Sequence, residues 1–276
     1  MNVPTTGVKA GPLFTRADGT FVPSLSTTGP WRPDAMHGGP PGALIGVLID
    51  EALEADEHVA RINIDLERPV PLLPLSPSVT RRTVSRRVAK LDIVLHAGET
   101  VVVRAAVVLL RGDAVDVPAD GPPHTVPGEE ARITWAEQAA HDGPLCYSRD
   151  SIEMRTVSGG FGKPLPTIAW IRHTSPVIAG EPTSGLADLL SIADFGSPFS
   201  QSAGPALTVA LINTDVSISL FRYPVGPWFL LNATRHISSE GIGLSVAEVS
   251  DVHGPLGTLT QSQLVQPWLR EGTSVR

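Results

Sequence analysis

With a single cysteine, Cys146, the chain has no means of forming an internal disulfide, and a reducing environment is expected. Basic residues are outnumbered, 21 Lys and Arg against 28 Asp and Glu, for a formal net charge of −7. That balance argues against nucleic acid or an anionic membrane surface as the main partner, because both reward an excess of cations. Long apolar runs are missing too. The longest, residues 42–49 and 101–110, fall far short of the roughly 20 residues that a bilayer-spanning helix needs, and Arg104 interrupts the second. The amino terminus shows no charged region leading into an apolar stretch, so no secretory signal is expected and a cytoplasmic location is.

Motif chemistry is equally sparse. No two of the 8 histidines stand three to five positions apart, so no zinc-type cluster and no metal is expected. The stretch Gly159-Gly160-Phe161-Gly162-Lys163 looks like a phosphate loop, but Val157 stands where glycine is required and Pro164 replaces the metal-binding hydroxyl. No Gly-x-Ser-x-Gly elbow occurs.

What the chain does have is 42% hydrophobic residues against 18% charged over 276 positions, enough for two core-forming units at about 150 residues each. Proline and glycine crowd the stretch from Val117 to Glu130. The expected division is therefore a first domain over residues 1–118, a linker over 119–130, and a second domain over 131–276. The halves resemble each other. Ile62, Ile64, Leu66 and Arg68 alternate in the first, and Val216, Ile218, Leu220 and Arg222 alternate in the second at a constant offset of 154, as 216 − 62 shows. Each run leads through a proline-containing bend into further strand-like sequence, the pattern of an antiparallel meander. One helix precedes each meander. Residues 43–53, apolar nearly all round, predict a helix buried on most sides, and Thr183 or Ser184 can cap a second one running through Ala193.

Two places could carry chemistry. His37-Gly38-Gly39 runs straight into the buried helix, where bare backbone and unpaired N–H groups suit a carbonyl oxygen or oxyanion. Alternatively the glycines serve only a tight loop, and His37 is a structural hydrogen-bonder. Asp194 stands four and seven positions after Leu190 and Ala187, on the apolar side of the second helix and in its last turn. There it is either a candidate general base or a carboxylate turned out to water. Asp188 falls on the other side with Ser191, a solvated face.

Taken together, Met36-His37-Gly38-Gly39-Pro40-Pro41, Ala193-Asp194-Phe195, Asn213-Thr214-Asp215 and Gln261 resemble the acyl-CoA thioesterase II-type family, closest to its actinobacterial thioesterase-like branch. The resemblance spans nearly the whole chain in order. It implies an α+β double hotdog: two antiparallel sheets, each wrapped around a long helix. It also implies hydrolysis of an acyl-CoA or other acyl thioester by an activated water, with no cofactor and with association into a homo-oligomer. Carried over by position, the water-binding residues fall on Asp194, on Asn213 or Thr214, and on Gln261. The family threonine aligns with Asn213, and Thr214 stands on the opposite strand face. Backbone near Gly38 and Gly39, beside His37, would meet the oxyanion.

The basic run of Arg81, Arg82, Arg86, Arg87 and Lys90 offers cations for the CoA phosphates, with Arg81 and Arg86 the candidates, unless it is a solvated strand face. Two other readings stay open. A hotdog hydratase or dehydratase would need an Asp and a His on a shared loop, and no such motif is found. A non-catalytic acyl-thioester binder would keep the fold with the water site silenced by asparagine.

Overall fold

The structure is a computed structural model that describes residues 10–118, 121–133, 145–160, 167–200 and 209–267. In chain order the strands are β1 (Phe14–Ala17), β2 (Thr20–Pro23), β3 (His58–Leu66), β4 (Leu75–Ser85), β5 (Val88–Ala97), β6 (Thr100–Leu110), β7 (Arg132–Ile133) and β8 (Ile152–Ser158). They continue with β9 (Ile168–His173), β10 (Val209–Asn213), β11 (Asp215–Leu220), β12 (Phe229–Ile237), β13 (Ile242–Asp251) and β14 (Gly254–Pro267). The helices are α1 (Gly39–Ala52), α2 (Tyr147–Asp150), α3 (Gly185–Ile192) and α4 (Gly196–Phe199).

The strands form a single 14-stranded sheet in the order β1-β2-β4-β5-β6-β3-β11-β14-β13-β12-β9-β8-β7, with β10 also beside β14. The two separate sheets implied by the resemblance are thus joined edge to edge. The seam is made by the two repeated runs. β3 pairs antiparallel with β11, Ile62 opposite Ile218 and Ile64 opposite Val216, so residues matched in sequence lie side by side in space. All four are buried on the helix-facing side. The proline-containing bend after β3 ends where β4 starts, at Leu75. β1, β2 and β10 carry too few alternating residues to announce themselves.

α1 starts four residues earlier than the apolar run suggests, because Pro40 and Pro41 occupy its first turn, where no N–H is needed. It is buried from Gly39 through Gly46. Ser184 caps α3, its Oγ accepting the Ala187 N–H at 3.1 Å. α3 ends at Ile192 and passes through a 3-10 turn, Ala193–Phe195, into α4. Asp194 therefore sits just beyond α3 rather than in its last turn.

α1 and α3 run antiparallel, backbone against backbone. A Cβ on Gly42 would lie 2.7 Å from Leu190 O, and one on Gly46 would lie 2.7 Å from Ala187 Cα. Both obstacles are main chain and cannot swing aside. Gly46→Ala should accordingly lower stability by about 1–3 kcal/mol in denaturant unfolding, as overpacked positions do; an unchanged midpoint would contradict this packing.

Candidate functional site

The antiparallel helix pair sets the carboxylate of Asp194 against the amino terminus of α1. A Cβ on Gly38 would fall 2.7 Å from Asp194 Oδ2, so the approach requires glycine. Gly39 is bare for another reason: a side chain there would strike Ser191 O and the Tyr147 ring. Of this glycine pair, Gly38 faces the carboxylate and Gly39 belongs to helix packing.

The two oxygens of Asp194 have different surroundings. Oδ1 accepts from Asn213 Nδ2 at 2.7 Å and from Gln261 Nε2 at 3.2 Å. Asn213 is in turn fixed by Gln263, whose Nε2 donates to Asn213 Oδ1 at 3.0 Å and to Ser197 Oγ at 2.6 Å. Oδ2 takes no hydrogen bond from the described residues. His37 Nδ1 lies 3.4 Å from it. That nitrogen already accepts the Gly39 N–H at 3.0 Å, so the ring proton belongs on Nε2 and the contact is not an ion pair. Burial disfavours the imidazolium and holds the His37 pKa below the ordinary value, against the pull of Asp194. The ring is packed between Phe195 at 5.2 Å and Tyr147 at 5.1 Å. Its role here is to hold the loop.

The amino terminus of α1 has one donor to spare. Pro40 and Pro41 have no N–H, Gly39 N–H goes to His37, and Gly42 N–H goes to Gly38 O at 3.3 Å. Gly38 N–H makes no hydrogen bond among the described residues, and the residue itself is pressed against the Asp194 carboxylate. The positive end of the helix dipole lies at this terminus and favours an oxygen that comes next to it.

Asp194, Asn213, Gln261, His37, Gly38 and Gly39 thus converge, and three other sequence candidates do not. Thr214 turns to the far face, its hydroxyl against Ser262 O at 3.1 Å and Asp215 Oδ1 at 3.2 Å. Arg81 is engaged by Glu57, by Glu54 at 3.2 Å and by Ala52 O at 3.1 Å. Those partners lie at the carboxyl end of α1, a helix length of roughly 20 Å from Gly38. Arg86 is exposed in the β4–β5 turn near the same end. Gln263 and Ser197 were not singled out from sequence. Two glutamines at alternate positions of one strand, on the same inner face as buried Leu259, were the available signal for Gln263. Residues 161–163 of the glycine-rich stretch lie outside the described residues.

A family model described as the acyl-CoA thioesterase N-terminal domain matches residues 27–110, and one described as the C-terminal domain matches residues 118–265. The chain belongs to the acyl-CoA thioesterase family. Solved structures agree on the fold. The tesB protein of Mycobacterium avium subs paratuberculosis superimposes with a TM-score of 0.64 at 16% identity, over 92% of this chain and 96% of that one. Acyl-CoA thioesterase II TesB2 from Mycobacterium marinum gives 0.62 at 14% identity, over 95% and 96%. A hot dog fold protein from Alicyclobacillus acidocaldarius gives 0.67 at 15% identity, over 92% and 95%. No curated protein matches the chain. The protein is an acyl-CoA thioesterase of hotdog type, and among its described residues no helix is long and apolar enough to cross a membrane.

One carboxylate of the thioesterase departs from expectation. Asp188, placed by sequence on a solvated face, is half-buried on α3 with Gly226 pressed against it, and burial pushes its carboxyl up to about 7. The folded chain therefore holds this proton more tightly than the unfolded chain does. The stability this confers is present below about pH 4 and is lost as pH rises to about 7. Asp188→Asn should gain on the wild type across that window, by roughly 1–4 kcal/mol at pH 8. Parallel stability profiles for the two proteins would refute the assignment.

Proposed function

We propose that the thioesterase hydrolyses acyl-CoA by direct attack of water, with Asp194 as general base and Gly38 N–H as oxyanion donor. The observation that carries this reading is the asymmetry of the carboxylate. Two amide donors pin Oδ1, while Oδ2, with a side chain 15% exposed, is left without a donor beside the spare N–H of the helix terminus. The base is oriented by its own partners and needs no reorganisation when substrate arrives.

In this mechanism the water oxygen bonds to the acyl carbonyl carbon as its proton passes to Asp194 Oδ2. The resulting oxyanion accepts from Gly38 N–H. Its collapse breaks the C–S bond, and the proton held on Asp194 passes to the thiolate, giving free acid and CoA thiol. Asparagine in place of the family threonine suits the scheme, because its amide donates to Oδ1 while its carbonyl is held by Gln263. The rest of the reading follows the family resemblance: a double hotdog with domains 1–118 and 131–276, a role in lipid metabolism in the cytoplasm, and self-association. The β3–β11 seam, where the repeated runs pair with each other, supports the duplication.

Release of thiol from an acyl-CoA panel should collapse in Asp194→Asn. Gln261→Ala or Asn213→Ala should each cost about 100- to 1,000-fold in kcat, the scale on which single preorganised donors act. Asn213→Thr should retain activity, and Thr214→Val should change little. Unchanged turnover in Asp194→Asn would remove the base from the mechanism. Tight acyl-CoA binding with no hydrolysis by the wild type would favour a non-catalytic binder. Hydration of an enoyl-CoA would favour the hydratase reading, for which the His37–Asp194 approach is the relevant observation.

A further inference from the structure

Two glutamines of β14 leave the same atom unmet. Gln261 and Gln263 are both buried, and the Oε1 of each is closed off from solvent with no donor among the described residues. A buried carbonyl oxygen without a donor is costly, so something else must hold these amides in that direction. For Gln261 it is the Asp194 carboxylate, which accepts from Nε2 at 3.2 Å. For Gln263 the cause lies one residue further away. An ionised Asp194 can only accept, so Asn213 must turn Nδ2 towards Oδ1, at 2.7 Å. Asn213 Oδ1 is then left for β14, where Gln263 stands directly opposite. Only Nε2 can meet it, at 3.0 Å, and the same nitrogen reaches Ser197 Oγ at 2.6 Å. The reversed amide would let the Ser197 hydroxyl donate to Oε1, but it would set that oxygen against Asn213 Oδ1.

The surroundings keep Gln263 in place. Ser197, at the start of α4, is itself held through its carbonyl, which accepts from Arg235 Nη2 at 2.7 Å and from Ser200 Oγ at 2.6 Å. Gly243 stands opposite Gln263 on β13, and a Cβ there would lie 3.1 Å from Oε1, so no side chain competes for the space. An amide at position 213 has a donating end and an accepting end, whereas a hydroxyl serves as both from one atom. Without Gln263, Asn213 Oδ1 loses its donor and the side chain is tethered at one end only. We infer that Gln263 is a positioning residue for hydrolysis: it directs the Asn213 amide so that the NH2 group faces the base, and an asparagine at 213 depends on it as a hydroxyl there would not. The inference rests on the reading of Asp194 as the base.

A double-mutant cycle tests this, with acyl-CoA turnover measured in wild type, Gln263→Met, Asn213→Thr and the double variant. Gln263→Met should lower kcat by about tenfold or more, with KM little changed, the scale on which partners that orient a functional group act. In the Asn213→Thr background the same substitution should cost less than about threefold, so the two positions are coupled. Equal losses in both backgrounds would mean that Gln263 only supports the sheet, and no loss with Asn213 present would mean that the amide needs no direction; either result overturns the inference. If Gln263→Met does not fold, as its thermal midpoint reports, Gln263→Thr takes its place, a strand-compatible residue too short to reach Asn213. Nitrogen-15 spectra give a readout independent of turnover. The Asn213 side-chain amide, assigned by its disappearance in Asn213→Thr, should shift and exchange its protons with water faster in Gln263→Met, and an unmoved signal contradicts the inference. Asp194→Asn, run beside the cycle, tells the two failures apart: wild-type turnover there removes the base, whereas collapse there with no coupling in the cycle overturns the role of Gln263 alone.

Discussion

The close approach of α1 to α3 is the constraint on which the site depends. Gly42 and Gly46 let the two backbones touch, and at the end of that contact Asp194 meets Gly38 with no side chain between them. A helix terminus and a carboxylate far apart in sequence are thereby set within reach of one small group. The sheet does the complementary work from the other side. β10 and β14 supply Asn213, Gln261 and Gln263, a set of neutral donors and acceptors on an inner face that is otherwise largely aliphatic.

Asn213 is engaged at both ends of its amide, which fixes its orientation. Gln263 donates to both Ser197 and Asn213, Asn213 donates to Asp194, and Gln261 donates to the same oxygen. Amide donors converging on one carboxylate oxygen in a low-dielectric setting position a base far better than water does for a lone carboxylate. His37, the residue whose type most suggests catalysis, is tied by Gly39 N–H and by two aromatic rings, and burial keeps it neutral.

Much of this was legible in the chain before any coordinates. Period-two alternation located β3 and β11, and the all-apolar run located α1, because burial leaves a mark on every residue of a long element. β1, β2 and β10 are four or five residues each, too short for a period to emerge. Asp194 was found by its spacing from Leu190 and Ala187, yet its 3-10 turn was not, since the break from α3 is decided by packing. Arg81 illustrates the limit most clearly. A run of basic residues reads as an anion site, but Glu54 and Glu57, brought alongside by the bend after α1, engage that arginine first. Asp188 was illegible for a related reason: Gly226, which presses against its carboxylate, is not a neighbour in sequence.

Single-turnover hydrolysis in water enriched in oxygen-18, with excess enzyme, tests the central claim most directly. Direct attack by a water activated at Asp194 Oδ2 predicts one labelled oxygen in the released acid and none in the protein. Label recovered in the Asp194 carboxyl group after that first turnover would mean that the aspartate itself attacked the thioester, and would contradict the account.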